Sequence, residues 1–268
     1  MSRTKPYRGN IDENKAKLMA SSDPLATSGD IPAAIALLTR LPVRADHARG
    51  ARAAWAWPLA GALVGLAAGV LGWILMRMGL PVPLAAAATL ATQVVITGVL
   101  HEDGLADVAD GFWGGHDRAG RLDIMKDSRV GSYGVIALVL SLLVRWAALT
   151  VLLPAGGIAV ALVATGLLSR APMGVLMAAM PNARGTGLAQ SVGRPSQATA
   201  TLGVLLAVGG AFLCIGTDVL APLVWASLAT LTVAVVAQRK IGGQTGDVLG
   251  ATQQCAEIAA LAALATLA

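Results

Sequence analysis

The chain has 268 residues, of which 56% are hydrophobic and only 13% charged. A soluble domain of this length carries roughly twice that charge, so a water-soluble globular protein is excluded. The formal net charge of +5 does not indicate nucleic acid. Most of the basic residues stand beside apolar runs, where they anchor and orient helices in a bilayer, and aromatic residues are too few for a single-strand stacking surface.

Residues 1–30 are polar and mixed in charge, with no apolar stretch of the signal-peptide kind. They predict a disordered tail. Residues 31–43 (IPAAIALLTRLPV) are apolar but too short to span, which predicts an interfacial or re-entrant helix. Seven runs of spanning character follow, at 53–78, 83–100, 135–153, 158–180, 201–216, 221–237 and 251–267. The expected fold is all-α: a polytopic integral membrane helix bundle with about seven transmembrane helices plus the short N-terminal helix. Residues 31–268 form one membrane-embedded domain. The connections at 79–82, 154–157 and 217–220 are short and nearly uncharged. The longer ones hold most of the basic residues and are expected on the cytoplasmic side. Cys214 and Cys255 lie in or beside apolar runs and read as small buried side chains.

One polar stretch stands out. Residues 97–134 hold seven of the chain's 15 acidic residues: Glu102, Asp103, Asp107, Asp110, Asp117, Asp123 and Asp127. Carboxylates this close repel one another unless cations sit among them. Asp103, Asp107 and Asp110 are spaced i, i+4, i+7, so a helix continuing past Leu100 puts them on one face. Asp123 and Asp127 are again i, i+4 and form the candidate facing half. These five are the expected ligands of Mg²⁺, with Asp107, Asp110, Asp127 and Lys126 as candidate catalytic groups on a pyrophosphate substrate. Arg129 is placed to contact phosphate. Arg118 and Arg121 either neutralise phosphate or pair with neighbouring carboxylates. His101 and His116 read first as hydrogen-bond partners.

Three further segments are expected at the same face: 170–193, 239–254 and the turn at 39–42, which holds Thr39 and Arg40. Arg170 lies near the cytoplasmic end of an apolar run, where an ionisable residue faces a partner or a cavity, and it is read as a substrate contact. Asn182 and Arg184 sit in a glycine-rich turn. Gly243 and Asp247 lie in a second such turn just before the last run, a setting in which backbone amides bind phosphate.

The motifs together resemble the adenosylcobinamide-GDP ribazoletransferases, also called cobalamin-5′-phosphate synthases. The carriers are TRLP at 39–42, HEDGLADVADG at 101–111, IMKDSRVGSYG at 124–134, RAPMG at 170–174, PNARGTGLA at 181–189 and KIGGQTGDVLGA at 240–251. The resemblance starts near residue 31 and adds Thr39 and Arg40 to the candidate substrate contacts. It implies an Mg²⁺-dependent enzyme in a bacterial inner membrane with its site facing the cytoplasm. That enzyme joins α-ribazole, or its 5′-phosphate, to adenosylcobinamide-GDP and releases GMP. Self-association is left open. The acid block is also similar to that of the CDP-alcohol phosphotransferases, so lipid headgroup transfer is the alternative. Transport through carboxylates is disfavoured, because the acids gather at one face and no internal repeat is evident.

Overall fold

The computed structural model describes residues 24–268. Within them the regular structure is helical, apart from one isolated bridge between Asn182 and Gln244. In chain order come α1 (Asp30–Leu38), a 3₁₀ turn (Gly50–Ala56), α2 (Trp57–Arg77), α3 (Val82–Thr97) and α4 (Leu100–Gly114). Then follow α5 (Arg118–Ile124), α6 (Ser132–Ala155), α7 (Ile158–Ala179), α8 (Leu188–Val192), α9 (Gln197–Ile215), α10 (Leu220–Ile241) and α11 (Gly246–Ala265). Among the described residues, five helical segments are long and apolar enough to cross a membrane, or six if the bent pair α3–α4 counts as one span. The longest, Gln197–Ile241, has 45 residues. As one straight helix it would reach about 68 Å, over twice a bilayer's apolar thickness. Gly216 breaks it in the left-handed region, and a 3₁₀ turn leads into α10. The polytopic helical bundle expected from the sequence is therefore present.

The most extensive packing is between α2 and α7. Gly61, Gly65 and Gly69 form a stripe at four-residue spacing on α2, where an added Cβ would run into the backbone of Gly166, Leu162 and Ala159. In a bilayer the apolar effect does not drive helices together, so this close approach supplies the attraction by van der Waals contact. α9 and α10 pack on α7 from outside. Their outer faces carry exposed Leu213 and Leu231, a surface suited to lipid.

Two findings refine the expected boundaries. The polar tail expected over 1–30 lies outside the described residues as far as residue 23. Its last residue, however, belongs to the fold: Asp30 is buried and accepts from Trp55 Nε1 at 2.7 Å and Arg49 Nε at 2.6 Å. Burial pushes its carboxyl upward, but these bonds prevail and hold it below the ordinary range. The second finding is a break where continuous helix was expected. α3 stops at Gly98, and α4 starts after Val99 at an angle of 87°. Both linking residues are left-handed, with φ +63° at Gly98 and +66° at Val99. Glycine adopts this freely, whereas a β-branched valine is strained there.

Candidate active site

The site is built where α4 crosses the start of α11. Gly104 and Gly250 face each other at the crossing, and a side chain on Gly104 would meet the Asp247 backbone and Gly250. This contact brings Asp103 and Asp107 of α4 beside Asp247. Asp107 is partly buried and feels the like charges of Asp247, Asp103 and Asp110, with Arg184 as the opposing cation. Arg184 Nη2 donates to Asp247 Oδ2 at 2.8 Å. The side chains of Asp103 and Asp107 make no hydrogen bond or ion pair among the described residues, and Asp103 faces the cavity described below.

Two glycine-rich loops wall the site. Asn182 Oδ1 accepts from the backbone N–H groups of Arg184 and Gly185 at 3.0 and 2.8 Å, which closes a tight turn. The Gln244 N–H donates to Pro181 O at 2.9 Å, and the Ala183 N–H to Gln244 O at 2.8 Å. This pairing ties the turn to the loop before α11, and Gly243 has no room for a side chain against the Pro181 carbonyl. Thr245 caps α11 by accepting from Val248 N. A cavity opens between these parts, lined by His101, Asp103, Arg184, Asp247, Trp57 and the residues around Leu188.

A buried polar network lies beneath. Arg145 of α6 donates to Glu102 Oε1 at 2.8 Å and to Glu257 Oε1 at 3.0 Å. Arg170 of α7 donates to Glu257 Oε2 at 2.6 Å. Gln253 and Gln254 of α11 complete it. Two guanidinium groups thus balance two carboxylates, which a membrane interior requires.

The cobalamin-5-phosphate synthase family model matches residues 30–265. An adenosylcobinamide-GDP ribazoletransferase of Bradyrhizobium diazoefficiens is 44% identical over 243 residues, covering 87% of this chain and 91% of that protein. The protein of that name from Sinorhizobium medicae is 44% identical over 252 residues, with 88% and 95% covered. The chain belongs to the cobalamin-5-phosphate synthase family. It is an enzyme of that family. No solved structure matches it.

Within this family member the expected site residues divide into groups. Asp103, Asp107, Arg184 and Asp247 come together. Thr39 and Arg40 line a neighbouring cavity. The expected facing half does not assemble around Asp103 and Asp107. Asp127 instead shares an open cleft with Asp110 and Arg129 on another side of α4. Arg129 Nη2 bonds Asp127 Oδ2 at 2.5 Å, and its hydrogen bonds hold that carboxyl at about 2. Asp123 and Lys126 are exposed. Both oxygens of Asp110 accept backbone N–H groups, from Gly131 at 2.7 Å and Gly134 at 2.9 Å, so this residue caps the start of α6. Arg170, read as a substrate contact, gives its guanidinium to Glu257 and Ser169 inside the bundle. Asn182 and Gly243 shape the loops. Arg118 and Arg121 bond the carbonyls of Ile241, Ala183 and Lys240, steadying the end of α10.

Among the described residues no three His, Cys, Asp or Glu side chains converge closely enough to hold a metal alone. Mg²⁺ does not need such a cage. It binds through one or two carboxylates together with waters and substrate phosphates. Asp103 and Asp107, hard oxygen donors whose side chains have no protein partner, fit that mode.

Proposed function

We propose that the protein joins α-ribazole, or its 5′-phosphate, to adenosylcobinamide-GDP with release of GMP. The reaction uses Mg²⁺ and occurs at the cytoplasmic face of a bacterial inner membrane. The observation that carries this reading is the meeting of Asp103, Asp107 and Asp247 with Arg184 between two glycine-rich loops, in a chain of this family. A ribose hydroxyl attacks the phosphorus attached to the corrinoid. A new P–O bond forms there, and the bond to the oxygen shared with GMP breaks. Asp107 takes the hydroxyl proton, since its carboxylate has no competing donor. Asp103, with waters and the substrate phosphates, would hold Mg²⁺, which would supply countercharge to the pyrophosphate as the GMP leaving group departs. Arg184 contributes the protein's own cation at the same place.

Purified protein in detergent should release GMP from adenosylcobinamide-GDP only when a ribazole nucleophile and Mg²⁺ are both present. Excess EDTA should stop it, and added Mg²⁺ should restore it. Release of CMP from a CDP-alcohol, with no GMP under the first conditions, would establish the lipid headgroup reading instead. The orientation rests on the distribution of Lys and Arg. A cysteine placed at Ser132 should react with an impermeant thiol reagent in inverted vesicles and stay unreacted in intact cells. The opposite pattern would reverse the topology.

A further inference from the structure

A second cavity adjoins the first. It lies between α1, the 3₁₀ turn and α8, and shares the walls Leu37, Trp57, Leu100, Leu188 and Val192 with the acidic cavity. Its polar lining has a different character. Arg49 is paired with Asp30. Asp46 accepts from the Ala48 N–H at 2.8 Å. Thr39 Oγ1 donates to Ile35 O and accepts from Leu41 N, which fixes the turn. Arg40 is exposed, and its side chain makes no hydrogen bond or ion pair among the described residues.

Arg40 is nevertheless held in place. Its backbone N–H donates to Ile96 O at 2.7 Å. Its stem lies over Gly98, where a Cβ would collide with Arg40 Cγ and Nε. The left-handed break at Gly98 and Val99 therefore forms the seat of one arginine, and strained backbone of this kind persists where the surroundings over-determine it. A seated guanidinium without a counter-ion, facing a cavity that opens onto a phosphoryl-transfer site, is suited to grip an anion.

We propose that this second cavity is the phosphomonoester subsite of the nucleophile, with Arg40 as its phosphate contact. This inference rests on the function proposed above and deepens it. The pyrophosphate and its metal occupy the acidic cavity. A second phosphate there would face Asp103 and Asp247, whereas on the Arg40 side it meets a cation. The 5′-phosphate of the ribazole nucleotide then stays bound while a different ribose hydroxyl reaches across the shared wall at Trp57 and Leu100 to attack. No bond to the 5′-phosphate is made or broken.

The test compares kcat/KM for α-ribazole 5′-phosphate with that for α-ribazole in the wild type and in Arg40→Gln. The ratio should fall about tenfold or more, the size of one lost charge-assisted hydrogen bond. Arg40→Lys should recover part of it. A ratio within twofold of the wild type overturns the subsite, whatever the absolute rates. Ribose 5-phosphate provides a measurement on the unaltered protein. It should inhibit competitively against the ribazole nucleotide and not against adenosylcobinamide-GDP. The reverse pattern, or no inhibition, also overturns the subsite. Failure of the wild type to release GMP with either nucleophile would sink the function itself, an outcome distinct from these.

Discussion

Asp107→Asn should reduce GMP release by on the order of 10³-fold while leaving thermal stability intact, since loss of one preorganised group at a transition state has effects of this size. The replacement keeps the shape of the side chain and removes one negative charge. That charge sits among Asp247, Asp103 and Asp110, so its removal relieves repulsion rather than breaking a bond. Asp110→Ala should behave in the opposite way. Its carboxylate caps the first turn of α6 through the Gly131 and Gly134 N–H groups. Losing such a cap costs about 1 kcal/mol or more, so a lowered melting temperature should accompany any loss of rate. Melting curves in detergent measured beside initial rates separate the two. Near-wild-type turnover in Asp107→Asn would remove this carboxylate from the chemistry, and an unstable Asp107→Asn would make it structural.

Much of this architecture was legible in the sequence because a bilayer imposes long apolar runs and leaves charge in the connections. The acid block, the Asn182 turn and the loop before α11 each stood out as polar segments among such runs. Their mutual placement did not follow from spacing. The i, i+4, i+7 rule put Asp103, Asp107 and Asp110 on one helix, yet Asp110 turns to the α6 amides while the other two meet Asp247. That division depends on the crossing at Gly104 and Gly250, a contact between residues distant in the chain. The facing pair expected at Asp123 and Asp127 failed for a related reason. α5 ends at Ile124, and Asp127 finds Arg129 two residues away instead of a shared metal. The kink at Gly98 and Val99 was also hidden, because a valine inside an apolar run gives no sign of left-handed backbone. The glycine stripe of α2 was present in the sequence at a spacing that suits close helix contact.

Arg170 illustrates a different limit. An arginine near the end of an apolar run must have an anionic partner, but the sequence does not say whether protein or substrate supplies it. Here Glu257 supplies it. Glu257→Gln is therefore expected to be among the most destabilising single changes in the chain. Its carboxylate receives Arg145 at 3.0 Å, Arg170 at 2.6 Å and Gln253 at 2.5 Å. The neutral amide leaves two buried guanidinium groups with Glu102 as the remaining carboxylate of the network. Breaking a buried pair in this way costs about 3–5 kcal/mol, a drop of roughly 10 °C in melting temperature for a chain of this size. A second substitution that restores neutrality should reverse much of that loss. Glu257→Gln combined with Arg170→Gln should melt well above Glu257→Gln alone, with a coupling of the sign and size expected for contacting residues. Additive losses in the double variant would show that Arg170 and Glu257 act independently. A Glu257→Gln protein melting within about 2 °C of the wild type, less than 1 kcal/mol on the same scale, would show that the network does not hold α6, α7 and α11 together.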